Sequence, residues 1–411
     1  MMRSMSLAIS ALRNHQVFMD VISSNISNVN TTGFKGSRVS FQELLNQTLR
    51  GSSAPRGGTG GLNPIQIGLG MALGGVDTLF TQGSLQDTGK STDLAIQGDG
   101  FFTLDSGDGY LYARDGNLDL GLDGSLVNLS TGMKVMGWAA DASGNIDTAL
   151  PLSDIQIPFG QSMARATGQM NLQGNLDAEA AAGTTVTATT NIYDSLGVSH
   201  DVTLTFTKSA TANQWTWNAS STDPTIGGIT AAGNTITFDP DGSYSTTNPA
   251  ASLAITFTNG ATSPSTTNFD YSNFTQLMGL SNVNSSSQDG LPPGSLNTFT
   301  VSSTGEVSGV FSNGLTRRLG QISIAKFLNP GGLLKMGQSL FAPSANSGTA
   351  QIGLPGQDGR GQVSAGYLEM SNVELAQQFT SMIVAQRGFQ ANSRVITASD
   401  EMLQDLVNLK R

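Results

Sequence analysis

Apolar residues between positions 4 and 30 recur at alternating spacings of three and four residues. This spacing keeps one face of a helix apolar, so it predicts an amphipathic helix with a heptad seam. The helix should end near Asn28–Gly33, where Asn, Thr and Gly favour a cap and a turn. His15 lies on the stripe, and we expect it to be packed or interfacial. The apolar members are Met5, Ala8, Leu12, Met19, Ile22, Ile26 and Val29.

A second stripe runs over residues 371–408 and predicts a longer helix, about 57 Å at ~1.5 Å per residue. Ser371 or Asn372 is the expected cap, with Glu374 in the first turn. Gly388 lies inside this stretch, where glycine costs up to about 1 kcal/mol relative to alanine. The stripe consists of Leu375, Phe379, Met382, Phe389, Ile396, Leu403 and Val407, interrupted by the polar Gln386, Ser393 and Asp400.

Within one chain, the only obvious packing partner of each helix is the other helix. A pair of helices buries a single seam on each of them. Further apolar positions would then stay exposed, which is typical of an assembly interface. Packing of both helices on the rest of the chain is the alternative, because tertiary packing commonly stabilises such helices. The apolar positions left over are Ile9, Val17, Val21, Ile383, Val384 and Val395.

Short alternating apolar segments and Asp–Gly turns fill the chain from about 92 to 365, which predicts β structure. Before this region, Phe41–Leu49 predicts a short helix, Gly51–Gly61 a flexible link, and Ile65–Leu85 an extended segment. The predicted strands are Leu94–Ile96, Phe101–Leu104, Tyr110–Ala113, Val202–Thr207, Trp215–Trp217, Thr235–Phe238, Leu253–Phe257, Phe299–Val301 and Ile322–Phe327.

The expected fold class is mainly β with α-helical termini. Coiled-coil-like helices pair at the two ends, and the β domains are of barrel or sandwich type, one inserted in the other. A charge shift near Arg165 and the loop 289–294 mark the insertion. The expected division is a helical domain of residues 1–34 with 366–411, an extended linker region of 35–75, a β domain of 76–145 with 287–365, and an inserted outer β domain of 146–286.

Composition excludes several functions. Only 12% of the residues are charged and the net charge is −10, which argues against binding a nucleic-acid backbone. The chain has no cysteine, so disulfides, thiolate metal sites and cysteine nucleophiles are excluded. The sequence contains no run of about 18 apolar residues, so we expect no membrane-spanning helix. Met1–His15 does not have the pattern of a Sec signal peptide, so we expect any export to use another route.

No combination of residues predicts a catalytic, cofactor-binding or metal site, and we expect no enzyme. Ser199–Asp201 places a Ser, a His and an Asp side by side, the wrong arrangement for a triad assembled across a fold. The stretch Asp115–Asp123 resembles a calcium loop, but Leu120 and Leu126 stand where an EF-hand needs Gly and Glu. The aromatic segment Trp215–Trp217 keeps open a surface-binding adhesin as a rival function.

Three segments resemble the axial proteins of the bacterial flagellum, which form its rod and hook. Ser24–Lys35 (SNISNVNTTGFK) is similar to the amino-terminal signature of that family. Asp93–Phe102 (DLAIQGDGFF) is similar to the start of the family's outer β domain, and Met382–Arg394 (MIVAQRGFQANSR) to its carboxy-terminal helix. With their flanks, the segments cover roughly the first 130 and the last 60 residues, in the family's order.

Within this family the resemblance leaves two roles. Distal-rod proteins are much shorter and lack a large middle insertion, so the insertion of about 140 residues favours a hook subunit. Segment 46–75 resembles a stretch seen in distal-rod proteins and keeps that alternative open.

A hook subunit of this kind is exported unfolded by the flagellar type III apparatus and polymerises with itself beneath a hook cap protein. The product is a curved tube that carries torque from the distal rod protein towards the hook–filament junction protein and the filament. The helical ends would line the inner tube, and the β domains would slide against one another outside.

Together, the stripes and the resemblance predict the subunit contacts. In the first helix and its motif they are Met5, Leu12, Met19, Ile22, Asn25, Ile26, Asn28, Val29, Gly33, Phe34 and Lys35. In the second helix they are Leu375, Phe379, Met382, Ile383, Gln386, Arg387, Phe389, Asn392, Ile396, Leu403 and Leu406.

Overall fold

The computed structural model describes residues 2–55, 57, 60–141 and 143–408. Helix α1 spans Met2–Ser27 and helix α2 spans Leu375–Asn408. The described residues between them form strands, turns and one 3₁₀ turn, Pro330–Gly332. The predicted fold class, mainly β with helical termini, is therefore confirmed.

The strands are mostly short, as the frequent Asp–Gly turns lead one to expect. The first sixteen are β1 (Ser37–Glu43), β2 (Asn46–Arg50), β3 (Ile65–Gly68), β4 (Met71–Thr78), β5 (Leu85–Asp87), β6 (Leu94–Gln97), β7 (Phe101–Asp105), β8 (Tyr110–Ala113), β9 (Leu118–Leu120), β10 (Leu126–Asn128), β11 (Lys134–Ala139), β12 (Ser153–Asp154), β13 (Ser162–Arg165), β14 (Gln169–Asn175), β15 (Thr185–Tyr193) and β16 (Ser199–Lys208). The others described are β17 (Gln214–Ser220), β18 (Ile226–Ala232), β19 (Thr235–Thr237), β20 (Ala251–Phe257), β21 (Ser265–Thr275), β22 (Asn282–Gln288), β23 (Leu291–Val301), β24 (Glu306–Phe311), β25 (Thr316–Ile322), β26 (Ile324–Lys326), β27 (Leu334–Gly337), β28 (Leu340–Ala342), β29 (Gln351–Gly353), β30 (Gln362–Ala365) and β31 (Tyr367–Glu369).

Contacts divide the chain into two compact units. Unit 1 consists of Met1–Ile157, Thr300–Ser308 and Arg318–Arg411. Unit 2 consists of Pro158–Phe299 and Gly309–Arg317. The sequence of unit 2 thus interrupts that of unit 1, as an inserted domain does.

Unit 2 is a sandwich of two sheets around one core. The order is β18-β20-β21-β14-β22 in one sheet and β15-β16-β17-β19 in the other. Rings from the two sheets meet edge to face, with 5.3 Å between the centroids of Trp217 and Phe269. Trp215 and Trp217 are both buried in this core, so neither indole is exposed as an adhesin of the expected kind would need.

The β region of unit 1 is closed by aromatic packing. Strands β11, β7, β8, β28 and β27 are hydrogen-bonded neighbours in that order. Phe101, Tyr112, Phe327 and Phe341 share a core, with 4.8 Å between the ring centroids of Tyr112 and Phe327. β30 pairs with β6 and β31 pairs with β5, so the chain that leads into α2 is joined to the segment after β4.

Observed strands lie at all the predicted positions, and Tyr110–Ala113 matches β8 residue for residue. The prediction at Ile322–Phe327 is interrupted, because β25 ends at Ile322 and β26 begins at Ile324. Between them, the buried Ser323 donates its hydroxyl to Met136 O at 2.7 Å.

Strands β1 to β4 form an antiparallel ribbon along α1, in which β1 pairs with β4 and β2 with β3. Asn14 donates its side-chain amide to Met71 O at 2.7 Å, and Phe18 packs edge-on against Phe41 at 5.7 Å. The predicted helix at Phe41–Leu49 is therefore wrong. Apart from Leu44 and Leu45, its residues belong to β1 and β2, because cross-strand pairing and packing on α1 outweigh the local pattern.

Helices α1 and α2 run antiparallel in a single register. At three levels along the pair, the numbers of the facing residues add to the same value, 403. The facing pairs are Ser4 with Ser399 (3.4 Å between the hydroxyl oxygens), His15 with Gly388, and Asn25 with Gln378 (3.1 Å between the amide nitrogen and oxygen).

Except for Ile22, the buried side chains at the seam between the helices are small or polar. A Cβ atom at Gly388 would lie 2.7 Å from the His15 ring, so only glycine fits at this level without a shift. Small residues let two helices approach closely, since the side chains at the contact set the interaxial distance. The buried seam residues are Ala8, Ala11, Ile22 and Asn25 on α1, and Ala385 and Ser399 on α2.

This seam is displaced from the apolar stripes on which the sequence prediction rested. One residue along a helix is a rotation of about 100°, so a displacement of one position turns a side chain away from the contact. Ala8 and Ile22 belong to both the stripe and the seam, whereas other stripe members lie beside it. The displaced pairs, seam residue first, are Ala11 and Leu12, Asn25 and Ile26, Gln378 and Phe379, and Ala385 and Gln386.

Helix α2 begins at Leu375, later than the predicted cap at Ser371 or Asn372. Asn372 instead joins two other segments. Its side-chain oxygen accepts from Gly36 N at 2.8 Å, and its amide donates to Leu79 O at 2.8 Å and to Thr81 O at 3.1 Å. Its side chain is therefore occupied by tertiary contacts rather than by the first turn of the helix.

We expect Gly388→Ala to lower the free energy of unfolding of the full chain by about 1 kcal/mol or more, as overpacking does. In a His15→Ala background the same change should stabilise by roughly 0.5–1 kcal/mol, because alanine favours the helix and nothing opposes the methyl group. Urea unfolding followed by circular dichroism measures both. The exposed Ala398→Gly sets the scale of helix propensity alone, and equal effects of Gly388→Ala in the two backgrounds would contradict the close approach.

Candidate functional site

A buried ion cluster joins the two helical ends to the β region of unit 1. This junction cluster consists of Lys35, Arg114 and Glu369, all at most 3% exposed. Lys35 Nζ lies 2.6 Å from one carboxylate oxygen of Glu369, and Arg114 Nη1 lies 3.1 Å from the other. The segment after α1, the strand β8 and the strand before α2 therefore meet at one carboxylate.

Backbone groups complete the junction cluster. Lys35 Nζ also donates to Thr81 O at 2.9 Å, and Gly83 N donates to the Glu369 carboxylate at 2.9 Å. Arg114 Nη2 donates to Gly98 O at 2.6 Å. Burial lowers the pKa values of Lys35 and Arg114 below their usual ranges, and the charge of Glu369 acts in the opposite direction. Both cations thus share one ion-pair partner, the Glu369 carboxylate, and the charge of Asp99 also raises the pKa of Arg114.

Gly33 brings the motif after α1 into place beside this cluster. Its φ is +65°, and a Cβ atom would lie 2.5 Å from Asp115 N, so both the backbone conformation and the space favour glycine. Gly33 N donates to Glu369 O at 2.7 Å. The motif is therefore bound to the strand that leads into α2 through both the backbone and the side chain of Glu369.

Asn25 closes the base of the helix pair. Its side-chain oxygen accepts from Ser37 N at 2.9 Å, and its amide donates to Ser37 O at 2.8 Å and to the Gln378 side chain at 3.1 Å. Nearby, Lys335 donates to Lys35 O at 3.0 Å and stands 5.4 Å above the ring of Phe34. Asn25, Gly33 and Lys35 are therefore fixed within one chain by these contacts, whatever further role they have between copies.

Several large apolar side chains of α2 remain exposed in the single chain. We call this set the outer face. Phe379 is 51% exposed and Ile383 53%, which is unusual for side chains of this size placed side by side. The outer face consists of Leu375, Phe379, Ile383, Val384, Phe389, Met402 and Val407.

The residues predicted as subunit contacts fall into three groups by burial. Ile22, Asn25, Gly33 and Lys35 are buried within the chain. The half-buried group contains Met5, Leu12, Met19, Ile26, Asn28, Val29, Phe34, Met382, Asn392, Ile396 and Leu403. The exposed group contains Leu375, Phe379, Ile383, Gln386, Arg387 and Phe389, while the side chain of Leu406 lies outside the described residues.

Sequence reasoning missed Arg114, Glu369 and Asn372, which make the tightest contacts of the site. A weak signal exists for the first two, since each directly follows or ends a short apolar strand, where a charged side chain is unexpected. No local pattern identifies them as partners, because they lie 255 residues apart.

Polar groups elsewhere stabilise turns and loops. His200 lies buried between Asp194 and Asp223, at 3.1 and 2.7 Å, and not beside its sequence neighbour Asp201. Hydrogen bonds from Thr225 hold the pKa of Asp223 at about 2, with His200 as a smaller cause. Among the described residues no three His, Asp or Glu side chains form a possible metal site, and no described helix is long and apolar enough to span a membrane.

Glu369→Gln should lower the free energy of unfolding by about 3–5 kcal/mol, because it leaves two buried cations without a carboxylate. The change keeps the shape of the side chain, so the loss reports the charge. Glu374→Gln, at an exposed position five residues away, is the matched control and should change stability by no more than about 0.5 kcal/mol. Thermal or urea unfolding of the full chain gives both values, and similar values for the two variants would refute the role of the cluster.

Four family models match the chain in order. The model described as Flagella basal body rod protein matches residues 5–35, and that of the Flagellar hook protein FlgE/F/G D1 domain matches 95–188. The Flagellar basal body protein FlaE D2 domain matches 163–291, and the Flagellar basal body rod FlgEFG protein C-terminal model matches 364–409. The first includes most of α1, and the last includes all of α2.

Full-length relatives give the same result. The chain is 39% identical to the flagellar hook protein FlgE of Borreliella burgdorferi and 37% identical to that of Treponema pallidum, with 100% of both chains covered in each case. It is 32% identical to the flagellar basal-body rod protein FlgG of Bacillus subtilis, again over 100% of both chains.

Among solved structures, the chain resembles the flagellar hook protein FlgE2 of Helicobacter pylori. The TM-score is 0.46 at 14% identity, covering 69% of this chain and 100% of that one. The identities to these two hook proteins exceed the identity to the rod protein by seven and five percentage points. The two full-length hook proteins that are 39% and 37% identical show that the chain belongs to the family of flagellar hook proteins.

Proposed function

We propose that this chain is the structural subunit of a bacterial flagellar hook, which polymerises into a curved tube and transmits motor torque from rod to filament. The observation that carries the proposal is the outer face of α2, which the chain leaves exposed although its side chains are large and apolar. Members of this family form a helical polymer, and in such a polymer neighbouring copies would cover this face.

The division of the helix surfaces supports self-assembly. Small residues already occupy the contact between α1 and α2, so the outer face cannot be buried by a rearrangement of that pair without losing its close packing. Burying a side chain of the size of Phe379 or Ile383 against a neighbour contributes roughly 1.5–3 kcal/mol. Several such contacts on each copy are enough to drive a polymer, even after the cost of ordering the subunits.

We assign the helical ends to the inner wall of the tube and the β regions to its outside. The outer β surface has few charges and many Ser, Thr, Asn and Gly residues, so contacts between copies could exchange at low cost as the tube bends. The partners we propose are the distal rod protein, the hook–filament junction protein, the hook cap protein and the flagellar type III export apparatus.

A distal-rod subunit is the second candidate function, favoured by the 32% identity to a rod protein over the whole chain. Such a subunit builds a straight, rigid shaft, whereas a hook subunit builds a curved one. The identity to this rod protein is lower than the identities to the hook proteins of Borreliella burgdorferi and Treponema pallidum, which makes the distal rod the weaker candidate.

Polymers of the purified full-length chain should be curved tubes when viewed by electron microscopy. The helical ends should form the inner wall, because their outer faces are covered only there. Straight tubes would favour the distal-rod role, and a chain that stays monomeric at high concentration would contradict both proposals.

Phe379→Ser and Ile383→Ser should each raise the critical concentration for polymerisation by about tenfold to a hundredfold, from the lost burial of one large apolar side chain. Monomer stability should stay nearly constant, since both side chains are half exposed in the single chain. Sedimentation of polymer from monomer measures the critical concentration. Gln390→Ser, at an exposed polar position of the same helix, is the control and should leave it unchanged.

A further inference from the structure

One face of α2 carries a line of charges whose sign reverses along the helix. Its members follow one another at alternating spacings of four and three residues, which places them on a single face. All of them are exposed. This charge stripe consists, in chain order, of Arg387, Ala391, Arg394, Ala398, Glu401 and Asp405.

The charges of the stripe have no ion-pair partners among the residues that the structure describes. Among the described residues, none of the four charged side chains forms an ion pair. Arg13 of α1 lies at the level of residue 390 in the antiparallel register, so it adds to the basic half. Arg3 lies near the acidic half but donates to the Gln47 side chain on the ribbon.

The stripe is complementary to itself after a shift along the helix axis. The midpoint of Arg387 and Arg394 is separated from that of Glu401 and Asp405 by between twelve and thirteen residues, or about 19 Å at ~1.5 Å per residue. Two copies of α2 that run in the same direction with this stagger bring the acidic half of one against the basic half of the other. The alanine side chains between the charged residues are small, so two copies of α2 can approach closely along this face.

A second arrangement would satisfy the same charges. Two copies running in opposite directions could pair Arg387 with Asp405, and Arg394 with Glu401, about a two-fold axis. An interface of that kind closes after two copies. In an open tube, each copy makes the same head-to-tail contact with one neighbour on each of its two sides. Of the two arrangements, only the staggered one with parallel helices provides such a contact.

We infer that the charge stripe of α2 binds the same stripe of a second copy, in the same direction and staggered by about 19 Å, and so sets the axial register between subunits. This inference rests on the proposed hook function, because it takes a polymer of parallel copies as given. The outer face supplies the burial of apolar area, and the charge stripe determines which stagger is lowest in free energy.

Charge reversal in the full chain tests this assignment. One variant carries Arg387→Glu with Arg394→Glu, a second carries Glu401→Arg with Asp405→Arg, and the third combines all four changes. Lys410 and Arg411, which lie outside the described residues, stay unchanged. The first two variants make the stripe a single sign and shift net charge in opposite directions, whereas the third restores complementarity at the parent's net charge.

Each of the first two variants should raise the critical concentration by about tenfold or more, since several exposed ion pairs per subunit become repulsive. The combined variant should return to within about threefold of the parent, and the first two should polymerise together when mixed. Circular dichroism and gel filtration of each monomer verify that it is folded.

Three results would overturn the inference while leaving the hook function intact. The single-sign variants could polymerise like the parent, the combined variant could fail although its monomer is folded, or the parent could form closed dimers that depend on the stripe. If the parent itself formed no polymer, the proposed function would fail instead.

Discussion

The close antiparallel packing of α1 on α2 is the contact on which the arrangement of the ends depends. Ala8 and Ala11 on one helix, and Ala385 and Gly388 on the other, let the helices approach until His15 touches the backbone at Gly388. At that separation Phe379 and Ile383 have no room between the helices. The apolar area of α2 is therefore displaced outward by sterics, and the surface available for assembly results from the way the single chain packs.

The junction cluster holds the base of this helix pair in a fixed position. Lys35 follows the amino-terminal helix by eight residues and Glu369 precedes the carboxy-terminal helix by six. Because their charges are buried together with Arg114, neither helix can shift along the other without exposing or unpairing an ion. Such a fixed base suits a subunit that must carry torque from its helices into its β regions.

Much of this could be read from the sequence, and the failures have identifiable causes. Period-two alternation located four strands of unit 2, namely β16, β17, β19 and β20, and heptad spacing located both helices, because these patterns are local. The wrong helix at Phe41–Leu49 arose because the strand partner, residues 65–78, lies beyond a Gly-rich link. The displacement of the seam from the predicted stripes has another cause. Periodicity shows that a helix face is apolar. It does not show whether that face is covered by a second helix of the same chain or by a second copy of the chain. Arg114 and Glu369 are far apart in sequence, so only the fold reveals them as partners.

The central claim is that the outer face of α2 is covered by copies of the same chain. The absence of native cysteine makes site-specific thiol labelling clean. A single cysteine replacing Ile383, on the outer face, should react rapidly with a maleimide in the monomer and be protected in the polymer. A cysteine replacing the buried Ala385 should be protected in both states. Equal reactivity of the cysteine at position 383 in monomer and polymer would contradict the account.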